Sequence, residues 1–469
     1  MKFADAKYRV LEFWDEFKKE RSGLIGLAIL VLSLLVVAFE PLILPWKEVN
    51  TEWRSIDYWQ DNSASAPPAW TNWFAKLKSP VTVRLENGKR EESDLEGGVK
   101  LVTYTFNYNY GAEKAPLDII FHMTGQGDIP FKIAIERPDG VTIDLAQRFE
   151  QGLNGQDVRV SIDNDGREAM FSFLKNYEPA EAIQQYSSRS IHTNDILFNT
   201  ARDGMAESFV PLKGTYKLML QAMLLDPENS SVHKPYVVVT GSVSGILGTD
   251  DSKRDLFSGL VAGLKWALII GLLTSAISVL IGVIYGIISA YFGGAVDTVM
   301  QFVYMIVNSM PVLPVLIVIS AIFKPSIYML ILVMVIFFWT GSVMTVRSMA
   351  LQIKEETYIE AAKALGAKKS RIIFRHMVPI LIPYSFASMA LSVPSAIVYE
   401  SSVSLLGLGD ATIVTWGQIL HDAMQGAAIL KGIWWWILPP GLLIAIMGMT
   451  FAFVGFSMDK ILHPKLKTR

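Results

Sequence analysis

Long apolar runs alternate with polar stretches along the chain, and these runs predict its fold class. A helix needs about 20 consecutive apolar residues to cross the hydrocarbon core of a bilayer. Six runs reach this length, at residues 24–44, 264–290, 298–322, 327–346, 380–406 and 433–456. The pattern therefore predicts a polytopic α-helical membrane protein with six transmembrane helices.

Residues 47–246 have a different pattern. Alternating stretches such as Phe131-Lys132-Ile133-Ala134-Ile135 and Tyr216-Lys217-Leu218-Met219-Leu220 are typical of half-buried strands, and Pro138-Asp139-Gly140 predicts a turn. We therefore expect a large, mostly-β, sandwich-like domain inserted between helices 1 and 2. On this division, residues 1–46 hold the N-terminus and transmembrane helix 1, and residues 247–469 hold a core of five helices.

The distribution of Lys and Arg predicts the orientation in the membrane. Residues 1–22, 346–378 and 457–469 carry six, seven and four of these cations, whereas the short loops 323–326 and 407–432 carry one each. Positive residues concentrate in short cytoplasmic loops. Both termini and the loop within 346–378 are therefore expected in the cytoplasm, and the inserted domain is expected to be extracytoplasmic.

Composition excludes several function classes. Hydrophobic residues make up 51% of the chain and charged residues 18%, and the net charge of −2 leaves no basic field for nucleic acid. The sequence has no cysteine, which excludes disulfides, a catalytic thiol and Cys-ligated metal. It also lacks a G-x-x-x-x-G-K-[ST] phosphate loop. The chain is therefore not expected to be an enzyme or to bind a cofactor or metal.

Prolines and polar residues interrupt the predicted spans. A proline removes an amide donor and bends its helix, which frees carbonyls for neighbours or for water in a cavity. An intramembrane carboxylate is a functional candidate by default. A translocation path lined by Asn308, Pro311, Pro394 and Glu400 is one interpretation. Packing kinks, with Glu400 bonded to nearby hydroxyls, are the other, and no other Asp, Glu or His is expected to be buried mid-span.

The polar loop at 354–379 predicts a helix, a turn and a second helix. Apolar side chains recur at helical spacing, at Tyr358, Ala361, Ala362 and Leu365. Gly366 follows them and predicts the end of that helix. A short amphipathic helix of this kind suits docking to a partner protein. A solvated loop along lipid headgroups is the alternative.

Residues of this loop resemble a known family. Glu360-Ala361-Ala362, the following Gly366, and His376 with Pro379 resemble the EAA loop of ABC importer permeases. The resemblance implies that this loop couples the chain to a cytoplasmic ATPase. Glu360 is then expected to hold the loop by charge-assisted bonds and Gly366 to make the tight turn. The residues implied in coupling are Glu360, Ala361, Ala362, Gly366, His376 and Pro379.

Further motifs extend the resemblance over residues 1–46 loosely and 247–469 closely. They resemble the C-type subunit of dipeptide, oligopeptide and nickel importers, a binding-protein-dependent transport system inner membrane component. The motifs are Leu247-Gly248-Thr249-Asp250 with Arg254-Asp255, Tyr291-Phe292-Gly293-Gly294 with Asp297, Ser404-Leu405-Leu406-Gly407-Leu408-Gly409 with Trp416-Gly417, and Asp459 with His463-Pro464. Lys253, where the family usually has Gly, and Gln301, where it usually has Arg, depart from the pattern.

The resemblance implies a type I ABC importer permease, multi-pass in a prokaryotic inner or plasma membrane. It implies a homologous B-type permease subunit, two ABC ATPase subunits that use ATP and Mg, an extracytoplasmic solute-binding protein and membrane lipid as partners. The expected function is half of a translocation path for oligopeptides or dipeptides. The alternatives are oligosaccharide transport by the same architecture, a non-transporting receptor with an external sensing domain, and a channel or secondary transporter.

Overall fold

The computed structural model describes residues 13–44, 49, 51–96, 98–148 and 157–462. The chain divides into two compact units. We call residues 1–54 and 258–469 the helical unit and residues 55–257 the strand unit. The motif residues His463-Pro464 lie outside the described residues.

Helices make up most of the helical unit. They are α1 (Arg21–Ile43), α2 (Leu256–Phe292), α3 (Gly294–Ser309), α4 (Val312–Ile322), α5 (Ile327–Phe338), α6 (Thr340–Lys354), α7 (Thr357–Ala364), α8 (Val378–Leu405), α9 (Trp416–Gln425) and α10 (Leu438–Leu462). A helical turn at Lys369–Arg371 and a π-helix at Ile372–Met377 lead from α7 into α8. Among the described residues, five helical segments are long and apolar enough to cross a membrane: Arg21–Ile43, Leu256–Phe292, Ile327–Lys354, Lys369–Leu405 and Trp434–Ile461.

The predicted span at 298–322 is not one continuous helix. α3 ends at Ser309, and α4 starts at Val312 in a direction bent by 71°. Met310 and Pro311 between them have extended backbone, because Pro311 has no amide to continue the helical ladder. The bend expected from Pro311 is therefore present, and it divides the predicted third span into two helices. The described chain has five candidate spans, or six if the bent pair crosses as one.

Glycines allow the helices of this unit to pack backbone against backbone. A Cβ added to Gly282 of α2 would lie 2.4 Å from the carbonyl oxygen of Trp339, and one added to Gly286 would lie 2.8 Å from that of Val343. On α1, a Cβ at Gly26 would lie 2.7 Å from the carbonyl oxygen of Thr450 in α10. Close approach at small residues is a common way for helices to associate in lipid.

Two antiparallel sheets form the strand unit. Their strands are β1 (Val83–Leu85), β2 (Lys89–Asp94), β3 (Lys100–Tyr110), β4 (Asp118–Gln126), β5 (Phe131–Glu136), β6 (Thr142–Arg148), β7 (Val158–Arg159), β8 (Gly214–Leu224) and β9 (Ser231–Thr240). One sheet has the order β1-β9-β4-β7 and the other β2-β3-β8-β5-β6. Alternate residues of β3 and β8 are buried, and they share one apolar core with residues of β4 and β9.

Short helices at Asn164–Lys175, Ala180–Ile183 and Thr193–Leu197 complete the strand unit. The first begins at Asp163, whose carboxylate accepts a hydrogen bond from the amide of Gly166 at 3.2 Å. This is the usual way to satisfy a free amide at a helix start. Met170 and Leu174 of this helix are fully buried in the core of the unit.

His122 of β4 lies between two carboxylates, and we predict a pH-dependent stability for the strand unit. Its Nε2 is 2.9 Å from Asp61 Oδ1, and its Nδ1 is 2.8 Å from Asp157 Oδ1. Burial alone would lower the pKa of His122, but the hydrogen bonds and charges of Asp157 and Asp61 outweigh it and raise the pKa to about 9. Because protonated His122 is favoured in the folded state, it stabilises the fold, and this stabilisation is complete below the pKa of about 6.5 that the side chain has in the unfolded chain. The stabilisation is lost as the pH rises through about 9.

Over this pH range we expect the free energy of unfolding of the strand unit to fall by about 2 kcal/mol. This value is reduced to allow for the solvent exposure of Asp157. Thermal unfolding of the full chain, followed by near-ultraviolet circular dichroism between pH 6 and pH 10, measures the effect. The variant His122→Gln is the matched control, since it keeps a polar side chain but cannot become charged. An equal pH slope in both proteins would contradict the assignment.

Candidate functional site

The turn after α7 is a tight helix ending that depends on Gly366. The amide of Ala367 donates to the carbonyl of Ala362 at 3.0 Å, and the amide of Gly366 donates to that of Lys363 at 2.9 Å. Gly366 has φ +75°, the left-handed conformation that favours glycine. These two bonds define a Schellman ending. The predicted helix stop at Gly366 is therefore present, and it sets the direction in which the chain continues from α7 to the helical turn at Lys369–Arg371.

α7 contacts the helical unit through Ile359 rather than through the predicted apolar stripe. Ile359 is fully buried and packs with Ile372 and Met377 in one apolar cluster. Two members of the predicted stripe, Tyr358 and Leu365, are instead 41% and 88% exposed. α7 therefore has one face held by the protein and a second apolar face that is exposed. We call Tyr358 and Leu365, together with the 57% exposed Phe374, the outer face of the loop.

Glu360 lies in the first turn of α7 with its side chain exposed. A carboxylate there interacts favourably with the helix dipole. Among the described residues the Glu360 side chain has no hydrogen-bond or ion-pair partner, so the charge-assisted bonds expected of Glu360 stay a prediction. The neighbouring Ala361 is exposed and Ala362 is half-buried. Small side chains at both positions keep the surface beside Glu360 open.

His376 and Pro379 lie where the loop becomes α8. Pro379 is in the first turn of α8 and cannot donate a hydrogen bond to the turn before it. The preceding residues 372–377 form a π-helix, in which the amide of Val378 reaches back to the carbonyl of Ile373. π-bulges of this kind often occur at functional sites. The ring of His376 lies 6.5 Å from that of Tyr358, which ties this segment to α7.

A cavity of about 440 Å³ opens inside the helical unit. Phe337 and Phe338 form part of its apolar wall, and Asn308 lies at the end of α3 where the broken helix borders it. Hydroxyl groups form much of the polar wall, at Ser275, Ser278, Thr340, Ser388, Ser392 and Ser395. Asp459 supplies a carboxylate to the lining. Ser275 and Ser278 are each 2% exposed, and their hydroxyls have no hydrogen-bond partner among the described residues.

The structure separates the four residues expected along a path. Asn308 lines the cavity, and Pro311 lies at the helix break beside the lining residues Met310 and Val312. Pro394 faces α10, since a Cβ added to Gly448 would lie 3.8 Å from the Cβ of Pro394. Pro394 and Glu400 are not among the described residues that line the cavity. The break and the cavity coincide, as expected where irregular backbone lies at membrane depth.

Glu400 links the end of α8 to the segment that follows it. It is 4% exposed, and its Oε1 accepts a hydrogen bond from Ser404 Oγ at 2.8 Å. Ser401 Oγ donates to Oε2 at 3.3 Å, and the hydroxyl of Thr415, which caps α9, bonds to the same carboxylate. This geometry supports the interpretation of Glu400 as a carboxylate bonded to nearby hydroxyls.

Gly409 and Gly417, two glycines of the motif that begins at Ser404, allow close packing around Glu400. A Cβ at Gly409 would lie 2.2 Å from Ser404 Oγ, and a Cβ at Gly417 would lie 2.8 Å from the Cα of Ser401. Trp416 is 2% exposed and donates its indole N–H to the carbonyl of Leu260 in α2 at 2.9 Å. The motif from Ser404 to Gly417 therefore closes α8, α9 and α2 around Glu400.

We predict that Gly417→Ala lowers the stability of the helical unit by about 1–3 kcal/mol, because the methyl group must displace the α8 backbone. The melting temperature of the chain in detergent measures the loss. Gly441→Ala is the matched control, since Gly441 is also helical and a Cβ there meets nothing within 4 Å. Equal melting temperatures for the two variants would contradict the packing.

The sequence interpretation did not predict the environment of two groups of charged residues. Glu40, in the last turn of α1, is 2% exposed, and its Oε1 has no hydrogen-bond partner among the described residues. Arg347 of α6 makes a bidentate ion pair with Asp297 of α3, with Nε 2.8 Å from Oδ1. Ser289 of α2 also donates to Asp297. This network ties α2, α3 and α6 together.

The backbone conformation at Lys253 explains why the family usually has glycine at this position. Lys253 has φ +66°, a conformation that costs a side chain energy and that glycine adopts freely. The turn is held by Asp250, which accepts from the backbone amide of Arg254 at 2.8 Å and pairs with its guanidinium. Burial raises the pKa of Asp250 to about 6 although Arg254 opposes the shift. A glycine at position 253 would suit the same turn.

Two family models match this chain. Residues 258–468 match the binding-protein-dependent transport system inner membrane component, and residues 10–68 match the N-terminal TM domain of oligopeptide transport permease C. Residues 69–257 lie outside both matches. The cavity, α7, the Glu400 network and the Asp297–Arg347 pair all fall within the first match.

Curated relatives support the match. The dipeptide transport system permease protein DppC of Bacillus subtilis (strain 168) is 34% identical over 221 residues, which are 47% of this chain and 68% of the relative. The oligopeptide transport system permease protein OppC of the same organism is also 34% identical over 221 residues, 72% of its length. A solved structure of the MetNI methionine ABC transporter aligns with 46% of this chain and 98% of its own at 17% identity, with a TM-score of 0.35.

The family predicted from the loop and turn motifs is thus confirmed by models and relatives that were matched over the helical unit. The match includes the residues that form the turn at Gly366 and the packing around Glu400. This chain is a multi-pass membrane protein that belongs to the family of binding-protein-dependent transport system inner membrane components.

Proposed function

We propose that this chain is the membrane subunit of an ATP-driven ABC importer and forms half of a translocation path for dipeptides or oligopeptides. The relatives named as dipeptide and oligopeptide permeases support this substrate class. The observation that carries the proposal is the exposed outer face of the loop on a helix whose other face is held by Ile359. An apolar face at the surface, beside the unpaired Glu360, suits a partner protein.

The partner is an ABC ATPase that supplies the phosphate loop this chain lacks. ATP-driven closure of two such subunits moves α7, and the motion passes through Ile359 and the π-helix into α8. α8 carries Ser388, Ser392 and Ser395 of the cavity wall, so a shift of α8 changes the cavity. A homologous permease subunit supplies the other half of the path. Glu360, Ala361, Ala362, Gly366, His376 and Pro379 are the coupling residues of this proposal.

The cavity provides hydrogen bonds without a dense cluster of charge. Its hydroxyls and Asn308 suit the amide groups of a peptide, which both donate and accept hydrogen bonds. We propose Asn308 and the flanking Pro311 as path residues, and Glu400 and Pro394 as residues that hold the helices around the path.

The strand unit is proposed to lie outside the cytoplasm of a prokaryotic cell, with both termini inside. The counts of Lys and Arg in the short loops support this orientation. A solute-binding protein then delivers substrate on the same side as the strand unit. Docking that protein, capping the path and stabilising the complex are the three roles open to the unit.

Uptake by proteoliposomes tests the proposed function. The chain is reconstituted with its co-purifying permease, ATPases and binding protein, and labelled di- and oligopeptides are supplied outside with ATP inside. ATP-dependent accumulation of peptide is the expected result. Accumulation of oligosaccharide instead would change the substrate class, transport without ATP would indicate a channel or secondary transporter, and no transport of any solute would favour a receptor.

A further inference from the structure

A loop of the strand unit directs large apolar side chains into solvent. Trp73, Phe74 and Leu77 are 79%, 80% and 60% exposed. Trp73 ends the 3₁₀-helix Ala69–Trp73, and all three lie within five consecutive residues. A cluster of this kind is unusual on a surface that faces only water, and it marks an interaction site.

The exposure is built into the loop by hydrogen bonds at its two ends. Asn72 Nδ2 donates to the carbonyl of Ser79 at 2.8 Å, and the amide of Ser79 donates to Asn72 Oδ1 at 3.1 Å. Lys78 Nζ donates to the carbonyl of Asn72 at 2.7 Å. Because two hydrogen bonds join Asn72 to Ser79, residues 73–78 form a closed loop.

Ile246, from a distant part of the sequence, is a further exposed apolar residue beside the loop. Trp70 donates its indole N–H to the carbonyl of Ile246 at 2.9 Å, and its ring packs edge-on against Phe74. Ile246 itself is 59% exposed. We call Trp73, Phe74, Leu77 and Ile246 the apolar patch. It joins two segments that are distant in sequence, so the patch is a feature of the folded unit.

Charge and connectivity indicate which surface covers the apolar patch. The loop also carries Lys76 and Lys78, both exposed. Tryptophan beside lysine and aliphatic side chains is the composition of the bilayer interface, where anionic headgroups meet acyl chains. The strand unit is inserted between the candidate spans α1 and α2, and Ile246 precedes the start of α2 at Leu256 by ten residues. A short tether to a span keeps the patch within reach of the bilayer.

We propose that the apolar patch anchors the strand unit to the membrane surface, with Trp73, Phe74 and Leu77 inserted at the boundary between headgroups and acyl chains. Lys76 then lies at the level of the lipid phosphates. This contact is independent of the substrate and of the ATPase, so it stands or falls separately from the proposed function.

Site-directed spin labelling tests the proposal directly, because the sequence has no cysteine. Single cysteines are introduced as Trp73→Cys, Phe74→Cys and Leu77→Cys and labelled with a nitroxide. Since all three side chains are exposed, the fold does not depend on them. Leu225→Cys is the matched control, an apolar residue of the same unit that is 53% exposed but lies outside the apolar patch. The full chain, with its co-purifying subunits, is reconstituted in vesicles of phosphatidylcholine and phosphatidylglycerol.

Electron paramagnetic resonance then compares collisions with oxygen, which concentrates in lipid, and with a water-soluble nickel chelate. At positions 73, 74 and 77 we expect oxygen to be the more effective relaxant, and at position 225 we expect the order to be reversed. If the nickel chelate is the more effective at all four positions, the patch faces water and the proposal is wrong. Low accessibility to both reagents at 73, 74 and 77 would also overturn it, since a protein would then cover the patch.

Discussion

Replacing Gly366 with valine is expected to leave the chain folded and inserted in the membrane but to abolish transport. Gly366 adopts φ +75°, and a Cβ there meets nothing within 4 Å, so the penalty is purely conformational. Left-handed backbone costs a residue with a Cβ about 1–2 kcal/mol, and a β-branched side chain more. Each ~1.4 kcal/mol lowers the population of the native turn tenfold. The chain would then continue from α7 toward α8 in a different direction, which displaces α7 from the position that suits its partner.

Gly366→Asn is the matched control, because asparagine tolerates the left-handed region better than other residues with a Cβ. It should retain much of the uptake that valine removes. ATP-dependent uptake by proteoliposomes gives the main measurement, and membrane content with melting temperature shows that both variants fold. Normal uptake by Gly366→Val would contradict the role of the turn in coupling.

Breaking the Asp297–Arg347 ion pair is expected to destabilise the helical unit by about 3 kcal/mol. The two side chains are 18% and 26% exposed, so the pair is largely shielded from water. Removing one partner leaves the other charge uncompensated, which usually costs about 3–5 kcal/mol in a buried site. Both Asp297→Ala and Arg347→Ala should therefore lower the melting temperature strongly. The double variant should melt above the value that adding the two losses predicts, because neither charge is then left alone.

An exposed ion pair of the same unit provides the control. Lys460 of α10 lies 2.6 Å from Glu20, but its side chain is 56% exposed. Lys460→Ala is expected to change the stability by less than about 1 kcal/mol, as exposed pairs generally do. If Asp297→Ala and Lys460→Ala have the same small effect, the shielded pair does not hold α3 against α6.

Residues with strong local signals were predictable. The helix end at Gly366 followed from a glycine after an apolar helical stretch, and the alternating residues around Ile133 and Leu218 lie in β5 and β8. The orientation of α7 was not predictable from its own residues. Tyr358 and Leu365 formed the clearer stripe, but Ile359 is buried because Ile372 and Met377, which follow the turn, pack against it. Periodicity detects apolar faces without showing which of them finds a partner.

Long-range partners explain the other differences. Asp297 and Arg347 are 50 residues apart in sequence, and no spacing rule connects them. Glu40 was overlooked because one carboxylate changes the mean hydropathy of α1 little. Pro311 indicated a bend in the third run, but only the packed structure has the 71° angle between α3 and α4. Gly417 belonged to a motif whose purpose, close contact with Ser401, appears only when α8 and α9 are packed together.

The most direct test of the central claim is a cross-link from the outer face of the loop to its partner. Leu365 is 88% exposed, and the natural chain has no cysteine to compete, so Leu365→Cys accepts a photoactivatable cross-linker selectively. We predict that cross-linking in native membranes captures a protein with a G-x-x-x-x-G-K-[ST] phosphate loop, and that the same label at Leu225→Cys does not. Capture of lipid alone, or of proteins without that loop, would contradict the assignment of α7 as the contact to an ATPase.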